Sequence, residues 1–106
     1  PSDKQPIWLS AEGNERRAIA PLFNHCQFKW LHIRMAPSSW LNELTYLTKQ
    51  TEKCYYVTKG EILIKVGYHK YYLSRGDSLY CEATMAHKIY NTSSQISEYF
   101  VVSYMK

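Results

Sequence analysis

The side chains that could do chemistry here are four histidines, three cysteines and a scatter of lysines, arginines and tyrosines. A protonated lysine offers only donors and no lone pair, so Lys49 and Lys53 suit an anionic group and repel a cation. His87 can donate to the same kind of group or accept from it. His32 and Arg34 stand two apart and alternate with Leu31 and Ile33, so both belong to one face of an extended segment. That face is either a surface or an extension of a positive lining. Tyr55, Tyr80 and Trp30 carry an apolar body with a polar tip, which suits pocket walls. Cys26, Cys54 and Cys81 show no CxxC spacing and no His-Asp constellation. They read as reduced packing thiols rather than nucleophiles or a disulfide framework.

These residues need a scaffold, and 106 residues provide one domain. The formal charge is +4, but Arg16, Arg17, Lys59, Lys65, Lys70 and Lys88 are dispersed and form no run. A polyanion-binding tail is therefore not expected. No helix-turn-helix, zinc-finger or RNA-binding signature is present either. The reduced thiols suit a cytoplasmic protein, and no apolar run approaches the roughly 20 residues needed to span a bilayer, so no membrane contact is expected.

Residues 1–27 read as an irregular lead-in, a linker with or without a first strand. Within it, 15–22 suit either a short strand or a helical turn, and Pro21 opposes a long helix. From Gln27 onward the hydrophobic period is two. Phe28–Met35 sets Leu31, Ile33 and Met35 against Trp30, His32 and Arg34. Ala36-Pro37-Ser38-Ser39 is a turn. A weak strand is expected over 44–50 and a strong one over 54–58. After Lys59-Gly60, Glu61–Val66 alternates with Ile62, Ile64 and Val66 on one side. Strands follow over 69–73, Ser78–Glu82, 87–91 and 98–104, with Gly67 and Arg75-Gly76-Asp77 as turns. Short strands every 8–12 residues imply an all-β barrel or sandwich, here over residues 28–106.

Two stretches carry a family resemblance. Tyr56-Val57-Thr58-Lys59-Gly60-Glu61-Ile62-Leu63-Ile64-Lys65-Val66-Gly67 resembles the first conserved region of cupins. Leu73-Ser74-Arg75-Gly76-Asp77-Ser78-Leu79-Tyr80, followed by His87 and Asn91, resembles the second. The resemblance runs from about Trp30 to Ser103 and implies an all-β, single-domain cupin, a double-stranded β-helix or jelly-roll barrel. The wording from Gly76 to the Val-Val-Ser ending is similar to the C-terminal sensor domain of bacterial helix-turn-helix regulators of the XRE type. In those proteins a DNA-binding head precedes a cupin that takes a small effector. DNA contact would then come only through a head outside this sequence.

Cupins commonly hold a divalent metal with two His and a Glu of the first motif and a His of the second. With the first motif anchored on Gly60, its Glu position falls on Lys53. Its second His falls on Lys49 or Thr48, and its first on Leu47 or Tyr46. With the second motif anchored on Gly76, Glu82 and Thr84 replace its Pro and Gly, while His87 and Asn91 match. One ligand in four survives, and a catalytic metal needs about three. A rescue would need Glu52 in the place of Lys53, with Glu82 or His32 turned inward. No cofactor is therefore expected.

In a closed barrel Lys49, Lys53 and His87 would meet at the mouth. The resulting expectation is a site for a small carboxylate or phosphate ligand, with Lys49 and Lys53 as charges, His87 as donor and Tyr55, Tyr80 and Trp30 as walls. His32 and Arg34 would extend it. The bland alternative puts both lysines on a solvated loop. The functional expectation is an effector-binding domain of a transcriptional regulator, forming a homodimer. The alternatives are a cupin enzyme of isomerase or dioxygenase type and a ligand-free dimerisation module.

Overall fold

Alternation of apolar and polar residues fixes which face of each strand is buried, and the barrel follows from it. The structure is a computed structural model describing residues 7–9, 13–19, 28–43, 51–82 and 87–105. Its strands are β1 (Ile7–Leu9), β2 (Glu15–Ala18), β3 (Phe28–Met35), β4 (Trp40–Glu43), β5 (Thr51–Lys59), β6 (Glu61–Val66), β7 (His69–Ser74), β8 (Ser78–Glu82), β9 (His87–Tyr90) and β10 (Ser97–Met105). They form a six-stranded sheet in the order β1-β2-β3-β10-β5-β8 and a four-stranded sheet in the order β4-β9-β6-β7. Every pairing is antiparallel.

The inner faces supply one core. The large sheet contributes Ile33, Met35, Tyr55, Val57, Tyr99 and Val101; the small one contributes Leu41, Ile62, Ile64, Leu73 and Ile89. The buried side of β6 is the Ile62–Ile64 side, as its alternation implies.

Two glycines make the turns that the sequence marks. Gly60 joins β5 to β6 with φ +74, and a Cβ there would overlap the Ser97 hydroxyl. Gly76 has φ +89. Its N–H donates to Val57 O at 2.8 Å, and Val57 N–H donates back to Asp77 O at 3.0 Å, so this turn is stitched to β5. Asp77 also closes the turn on itself, accepting from Ser74 N–H through Oδ2 at 2.9 Å.

Within 15–22 the strand form holds at Glu15–Ala18, which pairs with β3. Asn14, just before it, is buried. Its Oδ1 accepts from Ala36 N–H at 2.8 Å and lies 2.8 Å from Ser39 Oγ, and its Nδ2 donates to Trp40 O at 3.2 Å. A residue of the lead-in thus fixes the turn between β3 and β4. That turn is followed at once by a strand at Trp40–Glu43, which its sequence does not advertise. The weak strand expected over 44–50 lies outside the described residues.

Candidate functional site

Parity along β5 sorts the chemistry-bearing residues. Thr51, Lys53, Tyr55 and Val57 point into the barrel, whereas Cys54 and Tyr56 are exposed on its outside. Lys53 is only 8% exposed although it is a lysine, so its charged end is held within the structure rather than on a solvated loop. Its cross-strand neighbours are Cys81 on β8 and Ser103 on β10. Residues directly opposite in an antiparallel pair have Cβ atoms about 5 Å apart, so Lys53 and Cys81 share one patch of the inner wall.

One inward position further along β5, Tyr55 is completely buried. Its hydroxyl lies 3.1 Å from His87 Nδ1. His87 reaches this point from β9 in the opposite sheet and is also fully buried. The bond therefore ties the two sheets across the interior. Tyr55 further packs against Tyr99, with ring centroids 5.9 Å apart. Lys53, Tyr55 and Cys81 make a polar strip on the otherwise apolar inner wall of the large sheet, and His87 faces it from the small sheet. The register also sets Glu43 of β4 directly across from His87. Glu43 does not stand out in the sequence, because the strand that carries it is short and weakly patterned.

The other expected site residues lie elsewhere. Trp30 and Tyr80 are exposed on the outer face of the large sheet, not on the barrel wall. The reason is strand parity. Leu31 and Ile33 take the inner positions of β3, and Leu79 and Cys81 take those of β8, which turns Trp30 and Tyr80 outward. Arg34 is exposed for the same reason. His32 is half-buried on that outer face, where its Nε2 lies 3.2 Å from Glu98 Oε1 and its ring rests 4.9 Å from that of Phe100. Tyr80 donates to Glu52 Oε1, and this bond, with the carboxylate charge, pushes its phenol up to about 12. Lys49 lies outside the described residues.

The same parity bears on a metal. Glu52, Glu82 and His32, the three possible substitute ligands, all belong to the outer face. On the inside, Lys53 lies one inward position from Tyr55, whose hydroxyl engages His87 Nδ1. Among the described residues, no three His, Cys, Asp or Glu side chains converge. A lysine beside a single imidazole is a donor set that does not fit a divalent cation.

A concavity of about 120 Å3 is lined by Gly13, Glu15, Arg34, Met35, Ala36, Pro37 and Ile96, beside the turn between β3 and β4. It is well below the roughly 300 Å3 at which small-molecule pockets begin.

Asn91 holds the end of β9. Its amide nitrogen shares two protons among the carbonyls of Gln95 at 2.7 Å, Ala36 at 3.1 Å and Met35 at 3.2 Å. Its Oδ1 accepts from Ser93 N–H at 3.0 Å and lies within reach of the Ser93 and Ser97 hydroxyls. Asn91 thereby locks the strand that delivers His87 to both β3 and β10.

No curated protein matches the chain. Solved structures share its fold at low identity. The Cupin_2 domain of an XRE family transcriptional regulator from Enterobacter cloacae is 15% identical with a TM-score of 0.78, over 86% of this chain and 95% of that one. An HTH_3 family transcriptional regulator from Vibrio cholerae is 9% identical with a TM-score of 0.73, over 86% of this chain and 50% of that one. A cupin-superfamily sugar phosphate isomerase from Silicibacter pomeroyi is 15% identical with a TM-score of 0.73, over 98% of this chain and 73% of that one. The family model Cupin_2, described as a cupin domain, matches residues 32–103. With two antiparallel sheets closed over one core, and the Gly60 and Gly76 turns where that family's motifs put them, the chain belongs to the Cupin_2 family of cupin domains.

Proposed function

We propose that this cupin domain is the effector-binding part of a transcriptional regulator and takes a small carboxylate- or phosphate-bearing molecule inside its barrel. The observation that carries the reading is Lys53, a lysine turned inward and 92% shielded from solvent. Its cation favours a negative group in a low-dielectric interior far more than it would at the surface. Tyr55 lies further along the same wall, His87 faces it from the opposite sheet, and both supply orienting polar atoms. A mostly apolar cavity with a few convergent polar groups is the usual form of a small-molecule site. The regulator assignment is supported by the likeness of the chain to regulator cupin domains. In that reading the DNA-binding head belongs to another part of the gene product.

The test is a thermal-shift screen of the domain against small mono- and dicarboxylates and sugar phosphates, run in parallel on Lys53→Met. A ligand that binds only the folded state raises the midpoint as its concentration exceeds Kd. The expected result is a concentration-dependent rise in the wild type that Lys53→Met abolishes. A ligand that stabilises both proteins equally would place the anion elsewhere. A ligand that is chemically converted during incubation would move the reading to the enzyme class that the isomerase neighbour represents.

A further inference from the structure

The outer face of the four-stranded sheet is made from positions that the core does not use. Leu41, Ile62, Ile64, Leu73 and Ile89 take the inner positions of that sheet, so their neighbours along each strand point away from the barrel. Register then sorts the outward residues into rows across the strands. One row runs Trp40, Tyr90, Leu63 and Tyr72, and the next runs Asn42, Lys88, Lys65 and Lys70. Three lysines from three adjacent strands stand side by side, although they are dispersed in the sequence. Lys70 and Lys88 are exposed, and Lys65 is half-buried between them. Arg16 adds a fourth cation at the β4 edge, where its guanidinium donates to Asn42 O at 3.3 Å.

Like charges directly opposite each other in a sheet destabilise it, and Lys65 has one on each side. Among the described residues none of the three lysines is in an ion pair. The acidic groups of this side are Glu61 and Asp77. Register sets Glu61 beside Ser74, beyond the aromatic row. Asp77 follows in the turn after β7, bound to Ser74 N–H. Lys59 and Arg75 occupy the same end of the sheet and offset both. Glu43 follows Asn42 on β4 but has the parity of the interior, opposite His87. Among the described residues, then, the positive charge of the lysine row has no acidic neighbour on its own face.

We infer that this face binds single-stranded nucleic acid, with the lysine row on the phosphates and the aromatic row under the bases. A charged track beside rings on which bases stack is how such strands are held without regard to sequence. Outward residues two apart on a strand lie about 6.7 Å apart, so each ring stands one step from a cation. Four strands about 4.8 Å apart make each row roughly 14 Å long. A stacked strand advances about 3.4 Å per nucleotide, so about four nucleotides cross the sheet. That is the low end of the range for such surfaces. Trp40 is 45% exposed and Tyr72 69%, so their rings are open to stacking. A duplex hides the faces of its bases, and a lipid headgroup or an acidic side chain brings charge without a flat ring. The face is independent of the interior site, because its residues have the opposite parity to His87 and Leu41.

Fluorescence anisotropy tests this with a labelled single-stranded oligonucleotide of about 12 nucleotides, titrated across a salt series. Circular dichroism confirms that each variant is folded. Three lysine–phosphate contacts give a slope of log affinity against log salt of about −2, and Arg16 as a fourth brings it to about −3. Lys65→Gln should reduce the steepness by about 0.7. Arg34→Gln removes an equal charge from the other sheet and should leave the slope unchanged. Tyr72→Ala should keep the slope but weaken binding about fivefold or more, the low end of what one stacked base contributes. Absence of binding at low salt would overturn the inference. So would a duplex of the same sequence bound as tightly, equal effects of Arg34→Gln and Lys65→Gln, or a Tyr72→Ala variant as tight as wild type. Phosphatidylserine vesicles bound more tightly than the oligonucleotide would overturn it too, by assigning the lysine row to a membrane.

Discussion

Replacing Asn91 tests whether the polar hub beneath the site is as structural as its geometry implies. Asn91 is 1% exposed, and its amide meets three backbone carbonyls on one side and a backbone N–H on the other. Asn91→Ala removes two donated bonds and one accepted bond and leaves their partners in a largely buried site. At about 1 kcal/mol for each bond, the loss is about 3 kcal/mol. Against a total stability of roughly 5–15 kcal/mol that is large, and it corresponds to a midpoint lowered by about 12 °C or more. Urea unfolding followed by tryptophan fluorescence reads it directly. Asn91→Asp separates lost bonds from lost volume. Its carboxylate keeps the accepting oxygen but sets a second, charged oxygen against the three carbonyls. At neutral pH it should be no more stable than the alanine variant. Protonation restores a donor, so the folded state raises the carboxyl pKa above its unfolded value of about 4. That variant must therefore lose stability as pH rises from about 4 through the folded pKa, and level off beyond it. The alanine variant has no such slope relative to wild type. A loss below 1 kcal/mol for Asn91→Ala, or an aspartate variant without that pH dependence, would refute the hub.

Three further outcomes follow from the same structure. Gly60→Ala puts a side chain at φ +74 into the Ser97 hydroxyl and should cost at least about 1 kcal/mol from the left-handed backbone alone, read by thermal unfolding; an unchanged midpoint contradicts the turn. Tyr55→Phe removes the 3.1 Å bond to His87 Nδ1 and should cost about 1–2 kcal/mol in chemical denaturation; a phenylalanine variant as stable as wild type would mean that the bond is not formed. Ultraviolet titration should find the Tyr80 phenol ionising near 12 in the wild type and returning toward 10 in Glu52→Gln. The reverse shift would show that Glu52 does not hold it.

Period-two patterning made most strands readable, because one side of a barrel strand is buried and the other is not. Glu61–Val66 shows this best, with Ile62 and Ile64 inside. β5 resisted the same treatment. Lys53-Cys54-Tyr55-Tyr56 gives no contrast between its two faces, and the lysine is on the buried one. For Trp30, the alternation separated two faces but could not say which was outside, since tryptophan is as apolar as the leucine beside it. Only the second sheet, closing over Ile33 and Met35, settles the matter. Asn91 was visible as part of a motif, but its task was not, because two of the carbonyls it holds lie 55 and 56 residues away in the chain.

Adjacent residues of β5 point to opposite sides of the sheet, and this makes the interior site separable from the outer face by experiment. Lys53 and Tyr55 face the barrel interior, while Cys54 and Tyr56 face outward. The strand period of two puts the side chains of neighbours on opposite sides of the backbone. Lys53→Met therefore changes the inner wall without entering the outer face, and Glu52→Gln does the reverse. The methionine variant should lose its anion and the glutamine variant should keep it, both read by thermal shift. Loss of the ligand in a folded Glu52→Gln protein would mean that parity does not insulate the two faces and that the site has been drawn on the wrong side of the sheet.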